Sequence, residues 1–333
     1  MKKILLAVAT VLAITSCSQN EEFENAAQKA EVNFTTVVSK AVRASELKTA
    51  DLRTNGGFKV FAYNTEVADM AVGSILNTTF MDDVTVEWKT SKWEMDSENP
   101  FYWPLTDKIQ FFSYSPITNV NYIKPDGLKT GYPSFTYSVA DNVANQEDLV
   151  VAYAKNQTKP TVSSTPVNLN FKHILAQINF KLKGKDAGFT YNVKKITLSN
   201  INKTGTFTYG DPEVAIGTWP TSSESTSYEY SAVYTEFSNT SESIIATGDN
   251  GLMLIPQTLG ETAKITIEYS TKNISTSKGT FDGTKEVSLK DIVWAVGDKI
   301  LYTLSLPSGA ESVTFTPEVD NWNAETKPEK DAQ

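Results

Sequence analysis

The chain has 333 residues, 40% of them hydrophobic and 21% charged, which is enough to bury cores in two ordinary domains and excludes wholesale disorder. Its 30 Lys plus Arg stand against 39 Asp plus Glu and form no basic patch, so nucleic acid is not an expected partner. A single histidine and a single cysteine exclude Cys/His zinc sites, a structural disulfide and most forms of Ser-His-Asp or Cys-His machinery.

Met1-Lys2-Lys3 is a positive leader to an apolar run, Ile4 to Ile14, of signal-peptide length and too short to span a bilayer. Thr15-Ser16-Cys17 follows, a small residue before a cysteine, as in a bacterial lipobox, although Ile14 stands where Leu is usual. The expectation is that residues 1–16 are removed and that Cys17 is lipidated; the alternative is a conventional signal peptide with an incidental cysteine. Several acyl chains anchor stably, each buried CH₂ contributing roughly 0.8 kcal/mol. Residues 17–31 then read as a lipidated, acidic tether, too poor in apolar side chains to offset the entropy of packing. Downstream, no apolar run is long enough for a transmembrane helix.

From Val32 the pattern is short apolar runs of period two separated by turn residues, which predicts an all-β chain. The first set of strands is Val32 to Val38, Phe58 to Tyr63, Val84 to Trp88, Ile109 to Tyr114, Phe135 to Val139, Leu149 to Ala154 and a long Val167 to Leu182. The second is Ile196 to Leu198, Thr206 to Tyr209, Tyr228 to Phe237, Leu252 to Ile255, Lys264 to Tyr269, Lys285 to Leu289, Ile300 to Leu306 and Val313 to Val319. Asn55-Gly56-Gly57, Asp126-Gly127, Asn250-Gly251 and Asp282-Gly283 supply hairpin turn chemistry. Thr221 to Ser227, rich in Ser, Thr and Glu, reads as an exposed mobile loop. The spacing suggests two tandem transthyretin-like or immunoglobulin-like β-sandwiches, residues 32–185 and 186–323, with a polar tail over 324–333.

Candidate functional residues are few. His173 has no sequence partner that marks it as base or ligand and reads as structural. Asp82-Asp83 and Glu21-Glu22 are adjacent acids, but a glycosidase needs a spatial pair that spacing does not reveal. Trp88, Trp93 and Trp103 are either core residues or a platform on which sugars stack. Arg43, between small residues just after the first strand, is either an accessible protease site or an ordinary solvated arginine. No catalytic residue, cofactor or metal ligand set is expected.

The order of several short motifs resembles one family. Cys17 is followed by Val32-Asn33-Phe34-Thr35 and Arg43-Ala44, then by Tyr102-Trp103-Pro104 leading into Ile109-Gln110-Phe111-Phe112-Ser113-Tyr114-Ser115-Pro116. Phe171-Lys172-His173-Ile174-Leu175-Ala176 and Leu254-Ile255-Pro256-Gln257 complete the series, which spans nearly the whole chain. It is similar to the fimbrillin-like lipoproteins of Bacteroidetes. The resemblance implies a two-domain β-sandwich lipoprotein, palmitoylated at Cys17, carried to the outer membrane and used for adhesion as a subunit of type V pili. It further implies a cut after Arg43 that releases a first strand carrying Val32, Phe34, Thr36 and Val38. A donor strand from another pilin subunit would then fill the vacated groove by β-augmentation. Family stalk subunits carry a C-terminal donor segment, whereas here Val313 to Val319 either is that donor or closes a hairpin with Ile300 to Leu306. The hairpin is the expectation, and with it a tip, accessory or anchor-like role with a host or bacterial surface ligand. The alternative is a stand-alone surface lipoprotein that binds carbohydrate through exposed tryptophans.

Overall fold

The computed structural model describes residues 30–38, 47–96, 100–118, 120–125, 131–231, 236–246 and 251–322. The chain enters as β1 (Phe34–Val38), a short helix α1 (Thr49–Thr54), β2 (Phe58–Asn64), β3 (Thr79–Lys89), β4 (Lys92–Met95), β5 (Ile109–Ser115), β6 (Val120–Ile123), β7 (Ser134–Ser138) and β8 (Val150–Gln157). It continues through β9 (Val167–His173), β10 (Ala176–Gly184), β11 (Phe189–Tyr209), β12 (Gly217–Ser231), β13 (Glu242–Ala246) and β14 (Leu252–Leu254). The last strands are β15 (Gln257–Thr258), β16 (Lys264–Asn273), β17 (Gly279–Ser288), β18 (Val293–Trp294), β19 (Asp298–Leu306) and β20 (Thr314–Asn321). The all-β expectation holds.

A seven-stranded sheet runs in the order β1-β9-β8-β5-β2-β3-β4. Every pairing in it is antiparallel except β1 with β9, which is parallel. All seven residues of β5 are buried, because this central strand is covered on both faces. Period two sorts its side chains into two cores: Ile109 and Phe111 enter one, Phe112 and Tyr114 the other. Phe58, Val60 and Ala62 of β2 join the first, while Phe61 and Tyr63 join the second.

The first core is closed by α1, the hairpin β3–β4 and the Phe101 to Trp103 segment; Leu52, Trp93 and Trp103 all belong to it. The second core extends from Phe61 to Trp322. It lies against a sheet ordered β17-β16-β11-β7-β6, with β12 also on β11, and against a further sheet ordered β13-β10-β19-β20, with β14 on β10. The 21-residue β11 serves both ends of the molecule: Phe189 to Ser199 pairs with β16, and Thr204 to Thr208 pairs with β7. Hydrogen-bonded ladders therefore cross the position near residue 185, since β10 also pairs in parallel with β19.

Several local expectations need correction. The single strand from Val167 to Leu182 is two strands in different sheets, broken at Ile174-Leu175, because continuous burial hides a change of partner. Conversely, Ile196 to Leu198 and Thr206 to Tyr209 are parts of one strand, which continues through a bulge where Asn200 takes a positive φ of 58°. Thr221 to Ser227 is not a loop: it lies in β12 and pairs with β11, whose ladder Ser and Thr residues fit. Asp282-Gly283 lies inside β17, so it makes no turn. Asn55-Gly56-Gly57 links α1 to β2, not two strands. Asp126-Gly127 and Asn250 lie outside the described residues. The hairpin of β19 with β20 is present as expected. Among the described residues no helix is long and apolar enough to cross a membrane.

Candidate functional site

The segment 30–38 is stitched into the molecule from both sides. Upstream, Val32 N–H donates to Phe101 O at 2.8 Å and Trp103 N–H donates to Ala30 O at 2.9 Å, around an antiparallel bridge between Glu31 and Tyr102. Further on, β1 pairs with β9 in parallel register from Phe34 opposite Val167 to Val38 opposite Phe171. β1 is the end of its sheet, and parallel pairing is slightly weaker per residue than antiparallel, so the ladder alone holds it loosely.

Its side chains hold it more firmly. Val32, Phe34, Thr36 and Val38 point inward with exposures of 0%, 6%, 7% and 6%, whereas Val37 on the other face is 51% exposed. The Phe34 ring meets Phe58 and Phe111 edge-on, at centroid distances of 6.1 and 5.7 Å. Burying Val32, Phe34 and Val38 contributes on the order of 5–9 kcal/mol, comparable to the net stability of a whole domain. Thr36 is the flaw in the fit: its Oγ1 is buried without a hydrogen-bond partner.

Arg43 and the rest of residues 39–46 lie outside the described residues, as does Cys17 with residues 1–29. The chain on either side of residues 39–46 is nevertheless fixed. Val38 N–H donates to Thr49 Oγ1 at 3.0 Å, and Leu47 N–H donates to Asp148 Oδ2 at 3.0 Å. Asp148 Oδ2 also accepts from His173 Nδ1 at 2.7 Å, with both side chains removed from solvent. His173 ends β9, the partner of β1, and its ring lies 4.6 Å from that of Trp322. His173 is thus a structural junction, as expected. Its partner was not legible because 25 residues separate it from Asp148. Helix α1 was missed because six residues are too few for a periodic stripe, although Asp51, which accepts from Lys48 N–H at 2.7 Å, is an acidic first-turn signal.

The tryptophans offer little open ring. Trp93 and Trp103 are 8% and 7% exposed, packed against Phe58 and Phe111, and half-buried Trp88 has the Arg53 guanidinium 4.0 Å above its ring centroid. The adjacent acids are engaged separately: Asp82 pairs with Lys124 at 2.7 Å and Asp83 with Lys59 at 3.2 Å.

Comparison with known proteins places this geometry among fimbrial subunits. The family described as fimbrillin-like matches residues 16–322. The fimbrium subunit Fim1C of Phocaeicola vulgatus is 32% identical over 198 residues, 54% of this chain and 51% of that protein, so the match spans about half of that relative's length. The crystal structure of a fimbrial protein from Bacteroides vulgatus superposes with a TM-score of 0.68 at 22% identity, covering 88% of this chain and 99% of that one, which shows a shared fold.

Proposed function

The chain belongs to the fimbrillin-like family, and from that premise we propose that it is a cell-surface fimbrial subunit which assembles by strand exchange and serves adhesion. Lipidation at Cys17 holds it to the outer membrane. A cut after Arg43 frees segment 30–38, and a strand from another pilin subunit takes its place. The family is one of structural and adhesive subunits, and the role proposed here needs no catalysis.

The observation that carries the proposal is the placement of β1. It is an edge strand that fills its groove through alternate side chains, Val32, Phe34, Thr36 and Val38, and any extended segment with apolar residues at that spacing can replace it. The hairpin of β19 and β20 supports a tip, accessory or anchor-like position, because it occupies the last described strand within the subunit itself.

The test is intact mass and N-terminal sequencing of protein taken from its host's surface, before and after an arginine-specific protease, with size-exclusion chromatography of each sample. The expected result is a new terminus at Ala44 and a shift to oligomers, both abolished in Arg43→Ala. A protein that stays uncut and monomeric overturns strand exchange and leaves a lipid-anchored subunit that does not polymerise.

A further inference from the structure

The face of β9 opposite the β1 groove carries Asn168, Asn170 and Lys172, and it borders a cleft of about 320 Å³. The far wall is the tip between β11 and β12, with Val214 and Ile216, and the floor reaches Val296 and Asn321 near the end of the last strand. Val214 is 87% exposed at the lip. The volume lies at the lower end of ligand sites, which run from roughly 300 to 1,000 Å³ and favour junctions between structural units.

The walls are set before any ligand arrives. Lys155 of β8 bonds Asp211 at 3.0 Å and Glu213 at 2.9 Å, and Gly210 N–H donates to Ile216 O at 2.9 Å, which closes the tip. Trp219 Nε1 donates to Ile174 O at 2.8 Å and ties β12 to the chain beyond β9. These contacts consume the acids of the tip on Lys155. Lys172, half-buried in the cleft, has no carboxylate partner among the described residues. A cation without an acidic partner among the described residues, in a chain with 39 acidic and 30 basic residues, is a local exception to its overall charge.

From this geometry we infer that the cleft binds a carboxylate-bearing sugar unit, a uronic or sialic acid of a surface glycan. The carboxylate pairs with Lys172, ring hydroxyls exchange hydrogen bonds with the Asn170 amide, and the apolar ring face lies on Val214, Ile216 and Val296. A peptide strand fits less well, because β9 offers it no open edge: Asn170 is paired with Val37 and Lys172 with Val151. The inference does not rest on strand exchange, since the cleft lies on the other face of β9 from the groove and exists in the uncut chain.

The experiment is saturation-transfer NMR and calorimetry on the uncut, full chain with glucuronic acid and N-acetylneuraminic acid, using glucose and N-acetylglucosamine as neutral controls. The acids are expected to bind and the neutral sugars to bind about tenfold more weakly or not at all. Lys172→Met should reduce affinity for the acids at least about tenfold, and Asn170→Ala by a smaller factor. Raising salt should weaken binding of the acids to the unaltered protein, a readout that requires no variant to fold. Absence of binding by either acid, equal binding of neutral sugars, or acid binding unchanged in a folded Lys172→Met overturns the inference.

Discussion

His173 Nδ1 and Asp148 Oδ2 lie 2.7 Å apart with neither side chain reaching solvent, and the same oxygen holds the Leu47 N–H at 3.0 Å. One buried pair thus fixes the chain at Leu47, beyond residues 39–46, at the end of the strand on which β1 is laid. In the proposed strand exchange, this contact keeps the chain downstream of a cut after Arg43 seated.

Removing one member of the pair takes a buried hydrogen bond from the other. His173→Ala is expected to lower stability by about 3–5 kcal/mol in urea denaturation, with Asp148→Ala similar and the double variant much less than the sum. Additive losses would show that the two side chains act independently.

The packing of β1 makes opposite predictions at adjacent inward positions. Phe34→Ala opens a cavity beside Phe58 and Phe111 and should cost about 3–5 kcal/mol. Thr36→Val removes a buried hydroxyl that has no partner and should add on the order of 1 kcal/mol, while slowing release of segment 30–38 after a cut. The rate at which the cut segment dissociates, followed by mass spectrometry, separates the two.

Gly57 is a position where a side chain cannot be tolerated. Its φ is +81°, and a Cβ there would stand 1.9 Å from the Val86 carbonyl oxygen in the neighbouring β3. Gly57→Ala is therefore expected to cost more than about 2 kcal/mol, since both the backbone conformation and the space forbid it. Gly73→Ala, with open space around it, is the control and should leave the thermal midpoint close to unchanged.

Burial governs the alkaline limit of stability. Tyr63 and Tyr114 are both pushed from 10.0 up to about 12, mainly by desolvation, and Tyr122, stacked on Phe61, is raised well above its ordinary value by the same cause. The folded state keeps these phenols neutral, so their contribution is fully present below pH 10 and is lost as pH rises through about 12. Urea midpoints should fall across that window, and Tyr63→Phe should make the fall shallower. Phenolate absorbance titrated in parallel checks whether these side chains ionise only as the fold is lost.

Period two, turn residues and the absence of helical stripes were enough to predict an all-β chain, because each strand carries its own alternation wherever it ends up. The first strand, read as Val32 to Val38, was legible for the same reason. What required the tertiary structure was partnership. Continuous apolar content in Val167 to Leu182 is equally compatible with one strand or two, and only the contacts of β9 and β10 divide it between sheets. The polar run in β12 becomes a strand because β11 offers it a complete ladder. Asp148, the partner of the lone histidine, and a Lys172 without an acidic partner among the described residues are products of long-range packing. Local sequence determines which face of a strand is apolar; which strand lies beside it, and which charges are left unpaired, is decided only when distant segments are brought together.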